Sequence, residues 1–145
     1  MKSFIFSIFF LVVTGCASPG SVKINDLKLS LVDLQKVVEV ALPLGKRLQT
    51  QNGRGFFSEY FITKQGDYQP AAQLPTRSFA EVFILGDRRP YAIHVRVIVE
   101  SRDGSGQYQL SRYDKGHARV ISRRIEQALH KRREDRNIID DFRVF

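Results

Sequence analysis

Apolar residues recur along this chain with two periods, and the switch between them marks out helices and strands. Leu31, Leu34, Val38, Ala41 and Leu42 return every three or four residues while Asp33, Lys36 and Glu39 fall elsewhere, which puts one apolar stripe on a helix. Ser30 with Asp33 three residues on has the form of a helix start, and Pro43 and Gly45 end it. From Tyr91 the period becomes two: Tyr91, Ile93, Val95, Val97 and Val99 share one face, and Ala92, His94, Arg96, Ile98 and Glu100 the other. Residues 55–64, 78–85 and 107–113 have the same strand character. Turn chemistry at 86–90 and 103–106 joins neighbouring strands so briefly that they pair antiparallel. Residues 65–76, with Gly66, Pro70 and Pro75, read as a longer irregular loop.

The helical period returns from Asp114 to Arg136, with Asp114 as cap and Ala118, Ile121, Ile125, Ala128 and Leu129 as the apolar stripe. Residues 137–145 are too apolar for a loose tail and are expected to add an edge strand or to pack under the sheet. The fold class predicted is α+β: an antiparallel sheet of about four strands, an N-terminal and a long C-terminal helix packed on one face, and an extra C-terminal edge strand.

A third pattern occupies the N-terminus. Lys2 precedes a run from Phe4 to Val13 that is apolar apart from Ser7. Ten residues are too few to span a bilayer, which takes about 20, but they suit the core of an export signal. The run ends in Val13-Thr14-Gly15-Cys16, which resembles the lipobox of bacterial lipoproteins: an aliphatic residue, a small residue, Gly or Ala, then Cys. Val13 and Thr14 differ from the commonest Leu and Ala or Ser. The resemblance implies that signal peptidase II cuts between Gly15 and Cys16 and that Cys16 carries a diacylglycerol on sulfur, with its new amine open to acylation. Ala17 stands where Asp would favour inner-membrane retention, so the resemblance implies an outer-membrane anchor. Two or three acyl chains on one residue give lasting attachment, whereas one binds marginally. Residues 1–15 are then the signal, 16–29 an acylated N-terminus and tether, and 30–145 a single small domain.

Composition supports one ordinary domain: 145 residues, 43% hydrophobic and 26% charged. Cys16 is the only cysteine, which excludes an intramolecular disulfide. The net charge of +8 would point first to nucleic acid in a cytoplasmic protein. An exported protein instead meets phospholipid headgroups, lipopolysaccharide phosphates and acidic wall polymers, so no nucleic-acid partner is expected. The charge concentrates in the last helix, where nine basic residues stand against four acidic ones between Arg112 and Arg136. Arg119, Arg123, Arg124, Lys131 and Arg133 are the candidate residues for binding an anion or a partner. Lys131 with Asp135, and Arg123 with Glu126, moderate that charge at helical spacing.

Catalytic chemistry is sparse. His94, His117 and His130 form neither a HExxH pair nor a His-Cys cluster, so no metal or cofactor is expected. Gly104-Ser105-Gly106 lacks the spacing of a nucleophile elbow, a dinucleotide loop or a P-loop and reads as a hairpin turn. Asp140 and Asp141 are adjacent and would face opposite ways on a strand. No catalytic residue is named. The function expected is that of a lipid-anchored envelope protein, a non-enzymatic binding or assembly component at the periplasmic face of the outer membrane. Its partners would be membrane lipid through Cys16 and an anionic envelope component or envelope protein. The alternative is an envelope enzyme acting on wall or lipid substrates, for which a pocket gathering His94, Arg96 and carboxylates would speak.

Overall fold

The long alternating segment becomes the middle of an eight-stranded sheet in which every pairing is antiparallel. The computed structural model describes residues 20–141. The elements run β1 (Val22–Leu27), α1 (Leu31–Ala41), β2 (Lys46–Gln49), β3 (Gly55–Ser58), β4 (Phe61–Lys64), β5 (Asp67–Pro70), β6 (Thr76–Leu85), β7 (Tyr91–Arg102), β8 (Tyr108–Tyr113) and α2 (Lys115–Asp141). β6 and β7 form a hairpin in register from Leu85↔Ala92 to Thr76↔Ser101. The other edge of β7 takes β1 along Tyr91 to Val95 and β8 along Ile98 to Arg102. The other edge of β6 takes β3 opposite Glu81 to Phe83 and β4 at Ser78. Each half of the hairpin thus has its own flanking strands, with β2 beyond β3 and β5 beyond β4.

Both helices lie on one face. Ile24, Phe56, Phe61, Ala80, Val82, Ile84, Ile93, Val95 and Val97 meet Leu34 and Val38 of α1 and Ala118, Ile121, Ile125 and Leu129 of α2 in one buried cluster. The predicted stripes are therefore the core-facing ones, joined by Val37. Ser30 Oγ accepts from Asp33 N–H at 3.1 Å, and Asp114 Oδ1 accepts from His117 N–H at 3.0 Å, so the two expected caps form. Arg132 joins the helices through Asp33 Oδ1 at 3.0 Å.

The sheet has twice the expected strands, and each addition has a local cause. Residues 22–27, assigned to the tether, form β1 against β7, with Ile24 and Leu27 buried; a register shift between them, with Asp26 at φ 59°, hides the alternation. Residues 55–64 are two strands. Ser58 Oγ accepts Ala80 N–H at 2.8 Å, while Glu59 N–H turns to Gly45 O, so the ladder with β6 breaks between β3 and β4. The supposed loop 65–76 contains a hairpin: Gln65 and Gly66 both have positive φ, the geometry of a two-residue turn, and Lys64↔Asp67 closes it. β2 is an edge strand with mostly exposed residues. The expected C-terminal edge strand does not begin at 137, because α2 continues to Asp141; residues 142–145 lie outside the described residues.

Ile125 is fully buried and Val40 is 81% exposed, though both are apolar residues on helices. Ile125→Ala is expected to destabilise the domain by about 2–5 kcal/mol through cavity formation. Val40→Ala is expected to stay within about 0.5 kcal/mol. Urea denaturation of the two variants measures the contrast.

Candidate functional site

The five basic residues expected to form one site on α2 do not share a surface. Arg119, Arg123 and Arg133 fall on one helical stripe with Glu126 and His130. Its C-terminal part faces β1, where Arg133, His130 and Glu126 line a hollow of about 210 Å³ with Ile24, Asn25 and Leu27. Arg124 and Lys131 belong to the opposite flank. Arg124 lies 4.7 Å over the Tyr68 ring, and Lys131 borders a cleft of about 180 Å³ between the helices with Lys36, Val37, Val40 and Ala128. Gly15 and Cys16 lie outside the described residues.

The sheet face without helices carries an arrangement that no local pattern announces. Arg77 Cζ sits 3.6 Å from the Tyr60 ring centre and 3.4 Å from that of Tyr108, so the guanidinium is held between two rings. Arg47 lies 4.3 Å from Tyr60, and Arg102 lies 4.8 Å from Tyr108. The series Arg47, Tyr60, Arg77, Tyr108, Arg102 draws on β2, the β3–β4 link, β6, β8 and β7. Polar contacts fix it. Arg77 Nε donates to Glu100 Oε2 at 2.8 Å and Nη1 to Ala72 O at 2.9 Å, while Tyr108 OH reaches Leu74 O at 3.0 Å. Beside it Arg96 Nε donates to Glu81 Oε2 at 2.8 Å, and Arg96 lies 5.3 Å from the Tyr113 ring. Phe57 and Phe83 meet edge to face at 5.9 Å. Leu48 and Leu110 stay more than half exposed.

Strand register explains why these groups converge. Glu81 stands opposite Arg96 on β7 and opposite Phe57 on β3, and Phe57 stands opposite Leu48. Lys23, Arg47, Arg77, Arg96 and Arg102 share the face with Glu81 and Glu100, an excess of three positive charges. His94 also lies here, opposite Lys23 and Phe83. Burial first, then the charges of Arg96 and Lys23, hold its imidazole below the usual value, so it is neutral at neutral pH. The carboxylates nearest Arg96 and Arg77 are engaged in ion pairs and make a fixed charge pattern.

A second polar cluster lies where the β4–β5 hairpin meets α2. Thr63 Oγ1 is 2.8 Å from His117 Nε2, and His117 Nδ1 is 2.9 Å from Asp114 Oδ2. Burial raises the Asp114 carboxyl, but hydrogen bonds from His117 and the charges of His117 and Arg112 outweigh it and leave it below its usual value. The order carboxylate, imidazole, hydroxyl is that of an activated nucleophile. The same contacts close the first turn of α2 and hold the hairpin against it. His117 and Asp114 are visible in the sequence as a histidine near a helix cap, but Thr63 lies 54 positions away. Among the described residues no group of three or more His, Cys, Asp or Glu is placed to hold a metal ion, and no helix is long and apolar enough to cross a membrane.

For His94 the direction of the shift sets the pH dependence. With the folded value below the unfolded one, its contribution to stability is complete above about pH 6.5 and declines as pH falls from there toward the folded value, because the unfolded chain takes up the proton first. His94→Gln is expected to flatten the loss of thermal stability between about pH 7 and pH 5; equal slopes in both proteins would refute it. Comparison with protein-family models, curated proteins and solved structures finds no match for this chain.

Proposed function

We propose that this chain is a lipid-anchored protein of the cell envelope, held through Cys16 at the periplasmic face of the outer membrane. Its domain serves as a non-enzymatic binding or assembly component. The observation that carries the binding role is the helix-free sheet face, where arginines and tyrosines are stacked in fixed positions between the exposed Leu48 and Leu110. Arg, Tyr and Phe are the residue types that concentrate binding energy at protein interfaces. Here their rotamers are already set by ion pairs and carbonyl contacts, so little side-chain freedom remains to be lost on association. The excess positive charge suits an envelope protein that presents carboxylates.

Two measurements on the full chain test the two halves of this reading. Labelled palmitate is expected in the wild type and absent from Cys16→Ser, and equal labelling removes the anchor. Pull-down from detergent-solubilised envelopes is expected to recover a protein partner that Leu48→Glu with Leu110→Glu loses. Both positions are exposed, so the fold survives the change. Unchanged recovery removes the sheet face as the binding surface.

The Thr63, His117 and Asp114 series favours a second reading, an envelope hydrolase in which Thr63 gives its proton to His117 and attacks an ester carbonyl, the alcohol leaves with that proton, and water then frees the acid from Thr63. A fluorophosphonate probe is expected to label the wild type and to spare both Thr63→Ala and His117→Gln if this chemistry operates. Labelling absent from the wild type leaves the series as a helix-capping contact.

A further inference from the structure

We infer that one edge of the domain, where β1 and β8 meet beside the start of α2, rests on the anionic phospholipid headgroups of the membrane that holds the Cys16 anchor. This rests on the lipid-anchor reading and adds an orientation to it. The first observation is the length of the leash. Gly20 is seated against the last residue of β8: a Cβ built on it, at φ 74°, would collide with Cβ of Tyr113. Four residue steps separate Cys16 from this point, and an extended chain covers at most about 14 Å in four steps. The membrane surface therefore lies within about two Debye lengths of Tyr113 at physiological salt.

The second observation is the charge on the segment that runs through that point into α2. Arg112 precedes Tyr113, and Lys115, Arg119 and Arg123 follow on the first turns of α2, all exposed. Among the described residues none of these four forms an ion pair. Asp114 is the only acid between Arg112 and Arg123, and its carboxylate is engaged by His117. Four exposed cations without a salt bridge, on the segment next to a leash of this length, meet headgroup phosphates whenever the lipid is inserted, and lipid phosphate is the anion that the anchor itself places there. Arg124 and Lys131, on the opposite flank of α2, take no part. With this edge downward the sheet stands upright on the bilayer, and its helix-free face stays open to a partner.

The test uses the acylated full chain, in which Cys16 is blocked, so that one added cysteine reports its own surroundings. Ser111→Cys lies on β8 beside Arg112, and Gln49→Cys lies on β2 at the far edge of the sheet; both positions are exposed. Each is treated with a bulky maleimide on vesicles in which about three in ten lipids are phosphatidylglycerol and the rest phosphatidylcholine, with rates normalised to detergent micelles. Ser111→Cys is expected to react about tenfold more slowly than Gln49→Cys on these vesicles. The difference is expected to vanish on pure phosphatidylcholine, and when Arg112, Lys115, Arg119 and Arg123 are changed to Glu. Equal rates on anionic vesicles, in protein that floats with them, overturn the orientation and leave the anchor standing. Protein that does not float overturns the anchor, and the orientation falls with it.

Discussion

Ten register pairs between β6 and β7 are the constraint on which everything else in this domain depends. All the strands that flank them pair, directly or through one neighbour, to this hairpin. Because side chains alternate across a strand, a slip of one residue would turn Ile93, Val95 and Val97 away from the helices. It would also separate Glu81 from Arg96 and Arg77 from Glu100. Core and charge pattern are thus set by the same backbone pairing. The turn at 86–90 ends that ladder at Leu85↔Ala92, and the Asp103 turn, whose carboxylate accepts from Ser105 N–H at 2.9 Å and Gln107 N–H at 3.0 Å, hands β7 on to β8.

The two faces are solidified by different means. On one, two helices bury an aliphatic and aromatic core, and the gain is chiefly the removal of apolar area from water. On the other no helix is present, and arginine side chains perform the filling: Arg77 occupies the space between two tyrosine rings while its charge is met by Glu100 and a carbonyl. Such a face is firm without being covered. In the proposed arrangement it faces a partner while the basic edge faces lipid, and the two roles do not compete for surface.

Legibility followed the length of each periodic signal. β6, β7, α1 and α2 each repeat their period several times, so pattern and packing agreed. β2 and β5 are four residues long and mostly polar, and β1 carries its register shift in the middle, so none repeats a period long enough to stand out. The break after Ser58 depends on a side chain bonding to Ala80, 22 positions away, which no local window contains. The basic residues of α2 were legible as charge but not as a site. Helical spacing places Arg119 and Arg123 together, yet only β1 on one side and Tyr68 on the other show that Arg124 and Lys131 face elsewhere.

By itself the sequence determined both caps, both helical stripes and the alternation of the central strands. These are local properties, expressed over a few turns or a few strand residues. Only the tertiary structure decided that eight strands join, that five residues from separate segments stack around Arg77, and that Gly20 seats against Tyr113. These depend on which distant segments pair, and pairing is chosen by the whole core and the hydrogen-bond accounting of the sheet together.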